Sequence, residues 1–169
     1  MDTLTAIRTR RSVRRFEDQP VEQETIRTIL EAGFCAPTAR NLRPWHFIVL
    51  RDMEVRRELS KAAGNLSRLV DGDCVIFVCG DREVQEREEF ILEDGAAAVQ
   101  NMLLAAHASG LGAVWCGIRT EKDLHEAVRR PLQLPPNILP VAFIVLGHPS
   151  EHPEPKNRYD ESKVHWDRW

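Results

Sequence analysis

The chain lacks most of what marks the specialised protein classes. Its 169 residues hold four cysteines, Cys35, Cys74, Cys79 and Cys116, with no C-x-x-C pair among them. Spread among apolar neighbours, these read as reduced core thiols and not as a disulfide frame or zinc knot. Long hydrophobic runs are missing too. The longest, Ala96 to Ala108, is broken by Gln100, Asn101 and His107 and is too short to span a bilayer. The opening MDTLTAIRTRR has no apolar signal core, so a cytoplasmic protein without a membrane partner is expected. No single sign of charge dominates: 23 basic and 26 acidic residues give −3, which supplies no long-range attraction for nucleic acid. Glycine (9) and proline (10) are sparse, apolar residues reach 43% and charged residues 29%, the balance of a soluble globular chain. The length predicts one domain over residues 1–169. A chain of this size buries roughly two thirds of its unfolded surface, so neither disulfide nor metal is needed for folding. Internal repeats and low-complexity segments are absent.

The common catalytic signatures are missing as well. There is no G-x-S-x-G, H-E-x-x-H or Walker loop, and no G-x-G-x-x-G opening a helix after a strand. His148 and His152 are four apart, but Pro149 and Pro153 keep a helix from placing them on one face. His107, on an apolar helix, reads as a satisfied core residue.

What is present is a regular alternation of helical and extended patterns. Leu4 and Ile7 after Asp2 or Thr3 predict a short first helix. Ile26, Ile29 and Leu30 keep helical spacing between Pro20 and Gly33, as Val55, Leu59 and Ala62 do between Asp52 and Gly64, and both helices are expected to stop at the glycine. WHFIVL at 45–50, Cys74 to Cys79, Ala113 to Ile118 and Val141 to Leu146 are continuous apolar runs, expected as strands covered on both faces. A helix from about Asp94 to Ser109 is apolar almost all round and should be buried against the sheet or a second subunit. A last helix is expected from Thr120 to Pro131, with Leu124, Ala127 and Val128 inward. The acidic stretch Arg82 to Asp94 reads as a solvated helix or a mobile cover. The arm from about residue 148 to 169 has too few aliphatics for its own core yet carries Trp166 and Trp169. It should wrap another body, most simply a second copy of the chain.

Anion-binding chemistry is left. Arg10, Arg11, Ser12 and Arg14 follow a helix end, and Lys156 and Arg158 lie in the arm. Guanidinium groups grip phosphate in a bidentate way that lysine cannot copy, and a serine hydroxyl adds a hydrogen bond. A solvated basic face is the competing reading. A nucleic-acid patch fits less well, because the acidic stretch cancels the charge and no aromatic platform interleaves with the arginines.

RRSVRRF at 10–16, APTARNLRPWHF at 36–47, DGAAAVQNMLLAAHASGLGAVWCGI at 94–118 and PKNRY at 155–159 together resemble the flavin-dependent nitroreductase family, in register over nearly the whole chain. The resemblance implies an α+β, three-layer fold with a mixed central sheet flanked by helices. It also implies an intertwined homodimer whose C-terminal arm crosses to the partner. The family motif for the phosphate and ribityl part of FMN falls on Arg10, Ser12 and Arg14 with Arg11 between, and its late K-x-R falls on Lys156 and Arg158. The loop that reaches the flavin from the other subunit falls on Pro37, Thr38, Ala39 and Asn41. Asn65 and Arg68 fall where the family places polar groups on the pyrimidine edge, with a surface role for Arg68 as the alternative. Trp115, Cys116 and Gly117 fall where backbone lies against the ring; for Gly117, a plain strand end before a Thr120 cap is equally consistent. Nothing marks Cys116 as a nucleophile. One departure stands out: Arg43 precedes Pro44 and Trp45, where members commonly carry Gln or Glu.

The implied cycle is ping-pong, with NADH or NADPH passing hydride to flavin N5 and a small oxidised acceptor such as a nitroaromatic or quinone then taking it up. No side-chain acid or base is required for hydride transfer, so the catalytic residue set is empty and the flavin carries the chemistry. The alternatives are the same flavin fold with another reaction, namely dehalogenation, dehydrogenation or flavin breakdown, or a dimeric binding protein without turnover.

Overall fold

The computed structural model describes residues 1–62, 64–118 and 122–169; the expected Thr120 start of the last helix lies outside them. Four strands, β1 (Trp45–Leu50), β2 (Cys74–Asp81), β3 (Gly112–Gly117) and β4 (Ile138–Gly147), form one sheet in the order β1-β2-β4-β3. Every pairing between them is antiparallel, and the parallel component of the expected mixed sheet is confined to an isolated bridge between Ser12 and Ala113.

Helices cover both faces because the central strands are apolar on both. Along β2, Cys74, Ile76 and Val78 face one core, while Val75, Phe77 and Cys79 face the other. The first core is closed by α2 (Gln23–Phe34) and α4 (Glu88–Ala108), through Ile26, Ile29, Val99 and Met102. The second is closed by α3 (Met53–Ser60), the 3-10 segment Gly64–Val70 and α5 (Lys122–Arg129), through Leu59, Leu66, Leu69, Leu124 and Val128. A bulge where β2 meets β4 at Val78/Cys79 shifts the alternation, so that Val141 and Ala142 both belong to the first core. The edge strands depart from the expectation of full cover. His46 and Val49 in β1 and Trp115 and Gly117 in β3 are exposed, since helices cover only the middle of the sheet.

Local chemistry sets the helix ends. The Asp2 carboxylate accepts from Thr5 N–H at 3.1 Å and starts α1 (Thr3–Thr9); Asp52 accepts from Glu54 and Val55 N–H at 2.8 and 3.2 Å and starts α3. The glycine stops fall elsewhere than expected. Gly33 lies inside the last turn of α2, packed on Met102 and Phe47, and α3 ends at Ser60, four residues before Gly64. Helix α4 starts at Glu88 and not near Asp94, because Glu88 and Glu89 suit a helix N-terminus and Ile91 is already core. The acidic stretch is therefore the turn after β2, anchored by Arg82 N–H to the Asn137 carbonyl at 3.0 Å, followed by the first turns of α4. Cys74, Cys79 and Cys116 are buried as expected, whereas Cys35 at the end of α2 is exposed. Among the described residues, no helix is long and apolar enough to cross a membrane.

Candidate functional site

The chain leaves α1 at Arg10, whose N–H donates to Ala6 O at 2.9 Å, and runs alongside β3. Ser12 bridges Ala113, Val13 N–H donates to Ala113 O at 3.0 Å, and Phe16 pairs with Pro149. This close approach depends on Gly112: a β-carbon there would stand 2.6 Å from Cγ1 of Val13. The arm is tied back along the same segment. Ser150 N–H donates to Arg15 O at 3.1 Å, and the Glu151 carboxylate accepts from Arg14 N–H at 2.6 Å.

Between the end of α1 and residues 155–159 lies a cavity of about 790 Å³, lined by Arg8, Arg10, Arg11, Lys156 and Arg158 among others. Among the described residues, none of its lining side chains is a carboxylate. Partial burial, Arg11 and Arg158 together lower the pKa of the Arg10 guanidinium from its ordinary value. The residues the sequence points to for phosphate thus divide. Arg10, Lys156 and Arg158 share the cavity, with Arg11 beside them. The half-buried Ser12 does not line it, and Arg14 opens with Arg15 and Asp71 onto a separate cleft of about 420 Å³.

A second group sits where β3 ends. The Asn65 amide donates to Gly117 O at 3.2 Å, and the Arg68 guanidinium stands 3.4 Å from the Asp71 carboxylate. Burial pushes the Cys116 thiol up to about 11, against the opposing pull of Arg68 and Arg14. Trp115 is 39% exposed. A β-carbon on Gly117 would meet nothing within 4 Å.

The loop Pro37, Thr38, Ala39, Asn41 lies at the far edge of the sheet, before β1, so three strand spacings of roughly 4.8 Å, about 14 Å in all, separate its edge from that of β3. Arg40, Asn41 and Arg43 all hold positive φ, near 55 to 57°. Arg43 fastens the loop: its N–H donates to Thr38 Oγ1 at 3.1 Å and its Nε to Asn41 Oδ1 at 2.9 Å. From α4, Asp94 accepts the Ala39 N–H at 2.8 Å, and its main-chain carbonyl accepts from Trp45 Nε1 at 3.2 Å. Asp94 is only 5% exposed, and its buried Oδ2 has no hydrogen-bond partner among the described residues. Burial raises its pKa, with the Ala39 N–H opposing and Glu93 assisting.

A family model described as the nitroreductase family matches residues 7–68 and 62–148. The chain belongs to the nitroreductase family. It is 39% identical over its whole length to a protein of Methanothermobacter thermautotrophicus provisionally named NADH dehydrogenase/NAD(P)H nitroreductase, of which it covers 88%. Among solved structures it resembles a provisionally named nitroreductase of Desulfovibrio desulfuricans in complex with FMN (37% identity, 98% of this chain and 96% of that one, TM-score 0.85). It also resembles the NADPH:FMN oxidoreductase of Vibrio harveyi complexed with NAD+ (28% identity, 98% and 77%, TM-score 0.85).

Three side chains in and around these regions carry little signal in the sequence. Asp94 gave one signal, an acid opening an otherwise apolar helical stretch. Arg56, 1% exposed on α3, looks in sequence like any surface arginine of a charged helix. Tyr159 lines the cationic cavity and donates to Glu161 Oε2 at 2.7 Å.

Proposed function

We propose that the chain is an FMN-dependent NAD(P)H oxidoreductase that works as a cytoplasmic homodimer and reduces a small oxidised acceptor such as a nitroaromatic or quinone. The observation that carries this reading is the cavity where Arg10, Lys156 and Arg158 gather without a carboxylate. Like charges so placed repel, and the Arg10 pKa is lowered first by burial and then by Arg11 and Arg158. A phosphate dianion would relieve it, so the residues present fit the FMN phosphate.

In this arrangement Arg10, Lys156 and Arg158 would hold the phosphate. Asn65 and Arg68, with Arg14 nearby, would meet the polar edge of the ring, and the main chain at Trp115, Cys116 and Gly117 would lie against it. Pro37, Thr38, Ala39 and Asn41 stand at the wrong edge of the sheet to serve the same protomer's cavity, which favours a loop shared with a second copy. When bound, FMN would supply the redox chemistry of a ping-pong hydride exchange between NADH or NADPH and the acceptor. The protein's part is binding and orientation. With its thiol pushed up to about 11, Cys116 stays protonated at neutral pH and supplies no nucleophile.

Purified protein tests this directly. It should be yellow, and its flavin absorbance should bleach anaerobically with NADH or NADPH and return on adding a quinone. Arg10→Ala and Arg158→Ala should each weaken FMN binding on the order of ten- to a hundredfold. A colourless protein that FMN cannot reconstitute, or two variants that retain FMN as wild type does, would overturn the reading.

A further inference from the structure

Arg11 stands among the cations of the cavity, yet its guanidinium is committed elsewhere. Nη1 donates to the carbonyls of Arg8 and Arg10 at 3.0 and 2.6 Å. Nε donates to the carbonyl of Glu154 at 3.2 Å and Nη2 to that of Lys156 at 3.3 Å. The first two acceptors belong to the end of α1, where a helix runs out of intrahelical partners and leaves carbonyls exposed at its negative pole. The other two lie in the arm, 143 and 145 positions along the chain. A planar fork of five N–H groups can serve two segments of backbone at once, which the single ammonium of a lysine cannot reproduce.

Beyond Glu151 the arm has little else to hold it. Among the described residues, these two are the hydrogen bonds that join residues 152–169 to the rest of the chain; those of Tyr159, Ser162, Lys163, Val164 and Arg168 stay within the arm. Lys156 and Arg158 must nevertheless stand beside Arg10 against mutual repulsion. Without a clamp, the arm would relax away and an arriving anion would have to order it, at a cost in affinity.

We infer that Arg11 is a positioning residue and not a phosphate ligand: by bridging the end of α1 to residues 154–156 it sets Lys156 and Arg158 opposite Arg10 before the anion binds. This rests on the FMN reading above and deepens it. It removes Arg11 from the direct ligands that the sequence motif suggests.

The test uses the full-length protein with Arg11→Gln, Arg11→Lys and, as ligand control, Arg158→Gln. Two quantities are read: amide hydrogen exchange over residues 152–158 in flavin-free protein, and Kd for FMN and for riboflavin, which lacks the phosphate. Both Arg11 variants should speed exchange several-fold and raise Kd for FMN on the order of tenfold while leaving riboflavin affinity unchanged. Arg158→Gln should raise Kd for FMN without changing exchange. Rescue of FMN affinity by Arg11→Lys, or FMN loss with unchanged exchange, would make Arg11 a source of charge or a direct ligand and overturn the clamp. Faster exchange with unaltered FMN affinity would overturn its positioning role. Wild-type protein that binds FMN no better than riboflavin would instead overturn the phosphate cradle itself, a failure recognisable whatever the exchange rates show.

Discussion

The side-chain amide of Asn65 donates to the main-chain carbonyl of Gly117 across 3.2 Å, tying the 3-10 segment after α3 to the last residue of β3. The carbonyl is taken by protein, while the space over the Gly117 α-carbon is open. A methyl group there meets no protein atom within 4 Å, and the residue needs no positive φ. Gly117→Ala should therefore leave the unfolding midpoint within about 1 °C of wild type, since a surface change without packing consequence is usually worth under about 0.5 kcal/mol. FMN affinity should fall at least several-fold if the ring lies against this backbone. Unchanged affinity would leave Gly117 as a plain strand end.

Asp94 provides a pH test of the loop at the opposite edge. Its carboxyl has a raised pKa, chiefly from burial, so the folded state retains a proton where the unfolded chain, near 3.8, has released it. Between those two values the native state binds more protons, and the Asp94 contribution to stability falls as pH rises. Asp94→Asn keeps an acceptor for Ala39 N–H and removes the titration. Relative to wild type, the variant should gain stability as pH is raised from about 4 to 7, followed by thermal unfolding at half-unit steps. A difference between the two proteins that does not vary with pH would show that Asp94 does not titrate in this range.

The sheet was readable in the sequence because its strands are continuous apolar runs, and β1 falls on the expected residues 45–50. Helix ends were less so. Gly33 looked like a stop but is a contact point for Met102, and the acidic start of α4 looked like a solvated segment because polar first turns resemble loops. For the site, residue types could be read but not their directions. Arg10, Arg11 and Arg14 are near neighbours in sequence, yet the first faces the cavity, the second is taken up by carbonyls and the third points to another cleft. Direction depends on the arm, some 140 residues away, and no local pattern encodes it. The same holds for Arg56, whose buried state follows from how residues 69–73 fold around it.

Arg56 yields a stability prediction. Its guanidinium donates to the carbonyls of Leu69 at 2.5 Å, Asp71 at 2.5 Å, Gly72 at 2.8 Å and Asp73 at 2.8 Å. Arg56→Met would leave several of these carbonyls without a partner and should cost about 3 kcal/mol or more, seen as a lower urea midpoint. Arg56→Lys should recover only part of the loss, because one ammonium cannot reach all four acceptors. The same turn carries Asp71, the partner of Arg68, so under the FMN reading both variants should also weaken FMN binding. A Met variant as stable as wild type would mean that water satisfies the turn.

The arm supplies the last prediction. Trp166 and Trp169 are 81% and 101% exposed in the single chain, and each indole can bury on the order of 200 Å² against a suitable surface. Exposed tryptophans are stabilised by a cover, and on the FMN reading proposed above the opposite placement of the Asn41 loop and the Arg10 cavity is met by a second protomer. One assembly meets both needs if the end of the arm beyond Tyr159 lies on the partner, residues 154–158 staying on their own protomer beside Arg11. Truncation after Pro153 removes Lys156, Arg158 and both tryptophans; the protein should lose FMN and shift from dimer to monomer in sedimentation. Trp166→Ala with Trp169→Ala retains the cations and should weaken the dimer first, with flavin loss appearing only at concentrations where monomer forms. Concentration-independent FMN binding in that double variant, together with a flavin-bound monomer from the truncation, would mean that each protomer builds its site alone.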